Sequence, residues 1–291
     1  MDTLFPLLRL LPPVLRARDF RLYTEGGKRL VDLWQNGGAA VLGHTPPALL
    51  RELKNSASRG LFAPLPHPLE QRFVKALARL FPGRVFRIYA EGASLGIKLD
   101  VPPGDTFGGK PEAPGAFLWR PFLDPQSPLA APAEAPLLIP VLPGIQGWSA
   151  DGPPLPRGLC VLALDPALER ARVFPPQDML SPVLLAAAAR GIYDLLAAAP
   201  LRGNPRFPKI DRALAKSGCP WRRRGIYLTQ SSGAGGDSSG ARVWEALFRG
   251  FLEEGFLLPP IPEHPLILPG VLSPGEEAKL AKLLESAALC A

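Results

Sequence analysis

A chain of 291 residues, 47% hydrophobic and 20% charged, carries enough apolar material for one large core or two modest ones, and too much for general disorder. Its net charge of +7 would suit a polyanion, but the basic residues are scattered. Trp221-Arg222-Arg223-Arg224 is the one tight cluster and reads as a solvated turn, so no nucleic-acid partner is expected.

The expected elements begin with "MDTLFPLLRLLPPVLRARDF", an apolar opening interrupted by Asp2, Arg9 and Pro12-Pro13. These interruptions argue against a signal peptide and for an arm that packs on its own body or on a second subunit. "FRLYTEGGKRLVDLW" reads as two short strands around Gly26-Gly27, because a Gly-Gly pair supplies the positive φ of a tight hairpin. "NGGAAVLGHTPPALLREL" leads from a glycine run into a helix expected to be capped by Thr45, with Pro46 at its first position. In "HPLEQRFVKALARLFPG" the residues Leu69, Phe73, Leu77, Leu80 and Phe81 fall on one helical face. "RVFRIYAEGASLGIKL" follows as a strand, a glycine turn and the start of another element, the pattern of a crossover unit.

Residues 100–135 are rich in Pro, Gly and Ala without periodicity, and no element is assigned there. "PLLIPVL" (136–142) and "LCVLAL" (159–164) are continuous apolar runs of strand length, expected as buried parallel strands. "SPVLLAAAARGIYDLLAAA" is a mostly apolar, buried helix; its Arg190 and Asp194 break the uncharged stretch that a membrane span needs, so no membrane association is expected. "RGIYLTQ" is a strand and "SSGAGGDSSG" a flexible link. The helix "ARVWEALFRGFLEEG", a short strand at "FLLPP" and a last helix opened by the capping-box pattern Ser273-Pro274-Gly275-Glu276 complete the chain. The alternation implies an α/β protein: a mainly parallel central sheet with helices on both faces, and a smaller α+β lobe from the two terminal segments. Residues 1–60 are assigned to the arm and hairpin, 61–205 to the large domain and 206–291 to a C-terminal small domain.

Cys160, Cys219 and Cys290 are odd in number and lack CxxC spacing, which fits neither a disulfide framework nor a zinc site and suits a reducing cytoplasm. No GxxxxGK[ST], HExxH or GxSxG motif occurs, and His44, His67 and His264 are too far apart in sequence to suggest a metal site. Gly92-Ala93-Ser94-Leu95-Gly96 is a candidate phosphate cradle, although a plain strand–helix turn would use the same residues. Asp165, closing "VLALDP", is a carboxylate at the tip of a buried strand: a catalytic acid, a metal ligand or a cap.

The order of these segments resembles the class III aminotransferases, fold-type-I enzymes that use pyridoxal phosphate and include glutamate-1-semialdehyde aminomutase. "GGKRLVDLWQNGGAAVLGHTPP" is similar to the family's G-x-x-[YL]-[LV]-D phrase, glycine stretch and LGH-x-x-P. "HPLEQRFVKALARLFPG" resembles the helix before its phosphate turn, "PLLIPVLPGIQGW" its EP-x-x-G-x-G-G strand and loop, and "VLALDP" the strand ending in its DE-V aspartate. "SPVLLAAAARGIYDLL" is similar to its NP-x-x-x-A-A-A helix, and "RRRGIYLTQ" and "FLEEGFLLPP" to its small domain. The resemblance implies a fold-type-I transferase fold and pyridoxal phosphate as cofactor, with Gly92, Ala93 and Ser94 at its phosphate and Asp165 on its pyridinium nitrogen. It also implies a dimer, either a homodimer or a heterodimer with a full-length homologue.

The chain is shorter than members of that family and departs from them at the chemistry. The family's Schiff-base lysine lies between the DE-V aspartate and the NP-x-x-x-A helix. Here that interval, Pro166 to Ser181, holds none, and no lysine occurs from Pro111 to Pro208, so no catalytic residue is identified. Glu91 stands where the family's turn begins with a serine; a carboxylate roughly 4 Å from a phosphate costs about 4 kcal/mol at an effective dielectric of about 20. Three readings remain: a non-catalytic homologue or partner subunit; a pyridoxal phosphate enzyme using Lys209, Lys98 or a partner's lysine; and an unrelated α/β binding protein.

Overall fold

The computed structural model describes residues 6–91, 95, 116–127, 129–132, 134–144, 146–148, 156–203, 205–216, 218–230 and 238–286. β1 (Val14–Arg18), β2 (Arg21–Thr24) and β3 (Arg29–Asp32) form an antiparallel meander, and Gly27 turns β2 into β3 with a φ of 74°. A glycine-rich turn at Gln35–Gly38 leads on to α1 (Pro47–Ala57) and α2 (Leu69–Leu80). Helix α1 begins one residue later than expected, and Thr45 does not cap it. Pro46 precedes a second proline, which forces it to extended backbone (ψ 120°), so Pro46 takes the capping position without a side-chain hydrogen bond.

The central sheet contains β4 (Val85–Glu91), β5 (Ala116–Trp119), β6 (Leu137–Pro140), β7 (Gly147–Trp148) and β8 (Pro156–Leu164), in the order β4-β8-β6-β5 with β7 on β8. Successive β8 residues face opposite sides. Leu159 and Val161 pack with Phe73 and Leu77 of α2 and with Ala188 and Ile192 of α4 (Pro182–Arg202). Cys160, Leu162 and Leu164 pack with Tyr89, Leu118 and Ile139 on the other side, where burial pushes the Cys160 thiol up to about 12. Both sides are dry, which is why β8 reads as an unbroken apolar run.

The expectation of a mainly parallel sheet is corrected. Among the described pairings of this sheet only β5 with β6 is parallel; β8 runs antiparallel to β4, β6 and β7. Composition accords with this: residues 141–155, "VLPGIQGWSADGPPL", hold three prolines and three glycines, a content that disfavours the crossover helix a parallel return needs. Helices α1 and α2 both pack on α4, on one side of the sheet. The opposite side receives Leu168 of the short α3 (Pro166–Ala171), together with Trp34 and Phe174. Helix α4 has the length and apolarity of a membrane span, with 50% of that stretch buried inside the protein. Along the outer side of β4 the Ile88 N–H donates to Gln177 Oε1 (3.1 Å) and the Ala90 N–H to Asp178 Oδ2 (2.8 Å), while the Asp178 N–H donates back to the Ile88 carbonyl (3.1 Å).

The remaining elements are α5 (Pro208–Leu214), β9 (Trp221–Arg224), β10 (Tyr227–Gln230), α6 (Ser238–Glu253), β11 (Phe256–Leu257), β12 (Leu266–Ile267) and α7 (Pro274–Ser286). β11 adds parallel to β3, so both ends of the chain share one sheet, over a core containing Leu30, Trp221, Phe248 and Leu280. Leu7, Leu8 and Leu10 of the arm pack on that core. The basic cluster expected as a solvated turn is strand β9: Trp221 is buried and Arg223 half-buried on one side, Arg222 and Arg224 point out, and Arg223 is bound to Asp211 at 2.6 Å. The capping box forms as expected, with the Glu276 N–H donating to Ser273 Oγ (3.2 Å) and the Ser273 N–H to Glu276 Oε2 (2.8 Å). Residues 231–237 of the expected link lie outside the described residues.

Candidate functional site

Strand direction decides which candidate residues meet. Because β8 is antiparallel to β4, Leu164 pairs with Val85 at the start of β4 and Arg157 with Glu91 at its end. Asp165 therefore lies at the opposite end of the sheet from Glu91, separated by the seven residues of β4, or roughly 20 Å at about 3.3 Å each. Gly92, Ala93 and Ser94, which follow Glu91 in the chain, lie outside the described residues. Asp165 is already engaged. Its Oδ1 accepts the Ala167 N–H at 2.7 Å as the cap of α3, and its own N–H donates to the Pro136 carbonyl at 2.8 Å.

In open α/β sheets a ligand enters the crevice beyond the carboxyl ends of the parallel strands. Here protein fills the space beyond β6. Val141 and Leu142 are fully buried, and Gln146 locks the following loop: its Oε1 accepts from the Leu142 N–H (2.6 Å) and its Nε2 donates to the Pro140 (3.2 Å) and Leu159 (2.8 Å) carbonyls. Asn36 reaches across to donate to the Gln146 carbonyl at 2.6 Å. Beyond β5, Tyr227 donates to the Pro121 carbonyl at 2.8 Å, and burial pushes its hydroxyl above the ordinary value. A Cβ at Gly38, where φ is 107°, would lie 3.5 Å from Val141 and 3.8 Å from the Tyr227 oxygen, so the glycine turn closes against both strands.

A Schiff base needs a lysine at the cofactor. All seven lysines among the described residues are exposed. Lys209 donates to the Pro274 carbonyl at 2.7 Å, at the start of α7, and Lys98 lies outside the described residues. With no buried lysine, Asp165 capping at the far end of the sheet and Gln146 over β6, the described residues do not compose a site for pyridoxal phosphate.

A different pair is brought together. His44 Nε2 lies 2.8 Å from Asp32 Oδ2, and Asp32 Oδ1 accepts the N–H groups of Trp34 and Gln35, each at 2.8 Å. Asp32 is 2% exposed and His44 20%, so the imidazole is the face the pair presents. The carboxylate closes a turn in which Gln35 (φ 48°) and Asn36 (φ 49°) both adopt left-handed backbone, a cost of about 1–2 kcal/mol each for residues with a Cβ. The pair lies on a cavity of about 420 Å³, walled by Leu8, Leu11 and Val14 of the arm and by Leu257, with Trp34 and Asn36 beside it. Both residues stand in the phrase that carries the family resemblance. Weighing His44 against the other histidines, instead of against a carboxylate twelve positions away, hides the pairing in the sequence. Gly43 (φ 92°) returns the chain; a Cβ there would sit 3.1 Å from the Asp19 carbonyl oxygen.

No family model matches the chain. Over 84 residues, 29% of the chain, it is 40% identical to an uncharacterised protein of Treponema pallidum and covers 27% of that protein. Over 69 residues, 24% of the chain, it is 33% identical to glutamate-1-semialdehyde 2,1-aminomutase of Sorangium cellulosum and covers 16% of that enzyme. The chain thus spans well under a third of the curated relatives it matches. Superposition reaches much further. Acetylornithine aminotransferase of Elizabethkingia anophelis aligns over 95% of this chain and 93% of its own, with a TM-score of 0.60 and 13% identity. With the terminal segments sharing one sheet and a mixed central sheet between them in the chain, the protein carries the fold of the class III aminotransferases.

Proposed function

We propose that this protein is a non-catalytic homologue of the class III aminotransferases, which uses the scaffold for association, with a second copy of itself or with a full-length relative, in a reducing cytoplasm. One observation carries this reading: the stretch from Pro111 to Pro208 contains no lysine, and every described lysine elsewhere is on the surface. Reversal of β8 supports it, since a carboxylate at the far end of the sheet has no route to a pyridinium nitrogen held near Glu91. The engaged Gln146 and Tyr227 side chains add to this, because a ring entering beyond β5 and β6 has to displace buried hydrogen bonds. The test is titration of the purified chain with pyridoxal phosphate, followed by absorption spectra and by borohydride reduction. The expected result is no saturable band and no pyridoxyl-lysine in peptide mapping, with Asp165→Ala indistinguishable from wild type. A saturable band fixed to one lysine overturns the reading.

A further inference from the structure

The Asp32–His44 pair has no part in that reading, yet a buried carboxylate, an oriented imidazole and the left-handed Asn36 meet on one cavity, with the left-handed Gln35 next to it in the chain. Chemistry fixes what the pair offers. A carboxylate only accepts hydrogen bonds, so the Nε2 facing Asp32 carries a proton, and the tautomer this selects has its lone pair on Nδ1. Nδ1 makes no hydrogen bond to any described residue, while both Asp32 oxygens are occupied, so an incoming polar group meets His44 and not Asp32. The volume, about 420 Å³, admits a substituted aromatic ring with room to spare, and most of the lining is leucine, proline and valine. The Asp32 charge behind the imidazole disfavours a carboxylate in the ligand.

We propose that this cavity is a binding site for a small aromatic alcohol, whose ring packs against Leu11, Val14 and Leu257 and whose hydroxyl donates to His44 Nδ1. The site lies on β3, the following turn and the arm, and its readouts are separate from the pyridoxal phosphate spectra.

The experiment titrates 4-methylphenol, toluene and 4-methylbenzoate separately into the full chain, by calorimetry and by the ¹⁵N resonances of the His44 ring. The site predicts saturable binding of 4-methylphenol, at least tenfold tighter than toluene, with the Nδ1 resonance moving on saturation. Leu11→Trp fills the cavity from the arm while leaving the pair in place and abolishes binding. His44→Leu makes the phenol and toluene bind alike. No saturation by 4-methylphenol, equal affinity for toluene, preference for 4-methylbenzoate, or full binding by Leu11→Trp each overturns the assignment. Should His44→Leu fail to fold, the ligand comparison and Leu11→Trp still decide it.

Discussion

Burying His264 next to Arg120 makes its protonated form costly twice, first through lost hydration and then through like charge, and its pKa falls from 6.5 to about 3. The unfolded chain takes up that proton near pH 6.5 whereas the folded chain waits until about 3, so stability is complete above about 6.5 and is lost as pH falls toward 3. The limiting slope is about 1.4 kcal/mol per pH unit. Urea unfolding of wild type and His264→Gln between about pH 7 and 5, above the range where most carboxylates titrate, should show a flatter profile for the variant. Identical slopes would rule out a buried neutral imidazole at this position. Asp165 illustrates what a residue alone conceals. Its position after an apolar run is readable, but its neighbours depend on which way β8 runs. Asp32 is the converse: its partner stands in plain sight, and only the fold of the turn joins them.

Glycines on two helices separate propensity from packing. Gly250 of α6 is exposed, and nothing lies within 4 Å of the point where a methyl group would stand, whereas at Gly191 of α4 a Cβ would sit 2.9 Å from the Pro143 carbonyl oxygen. Gly250→Ala should therefore stabilise by up to about 1 kcal/mol, the usual helix preference, and Gly191→Ala should destabilise despite the same preference. Thermal midpoints of the two variants check this, and a gain at Gly191 would mean that α4 is free to move away from the loop after β6. Most elements are legible because their periodicity is strong: α2 from Phe73 and Leu77, the hairpin from Gly27, α7 from Ser273 and Glu276. β5 is invisible because "AFLW" is four residues in a stretch of prolines and glycines. β9 passes for a turn because three arginines obscure the alternation that Trp221 begins. The direction of β8 is readable in principle, from the want of a helix-forming stretch after β6.

At the level of the whole molecule, the proposed association requires a surface. Leu50, Phe62, Leu65 and Val74, from α1, α2 and their connection, are all exposed, Phe62 by 64%. Sedimentation equilibrium at micromolar concentration should give twice the chain mass, and Phe62→Ser with Leu65→Ser should return it to the monomer. A wild-type monomer removes self-association and leaves only a foreign partner. Within the chain the terminal lobe and the central unit are not independent: Val41, Leu195, Tyr227 and Ile267 form one buried cluster between them. Arg202 reinforces it, donating to the Val41 carbonyl at 3.3 Å over the Phe20 ring, and burial lowers its guanidinium to about 10. The hydrogen bonds that Gln177 and Asp178 make to the outer side of β4 have a separate consequence. An outermost strand with open N–H and carbonyl groups is a template on which another chain adds, and such addition, once begun, leads to fibres. Here two outward N–H groups and one carbonyl are already satisfied from within the same chain, so β4 is guarded there against the addition of a further strand.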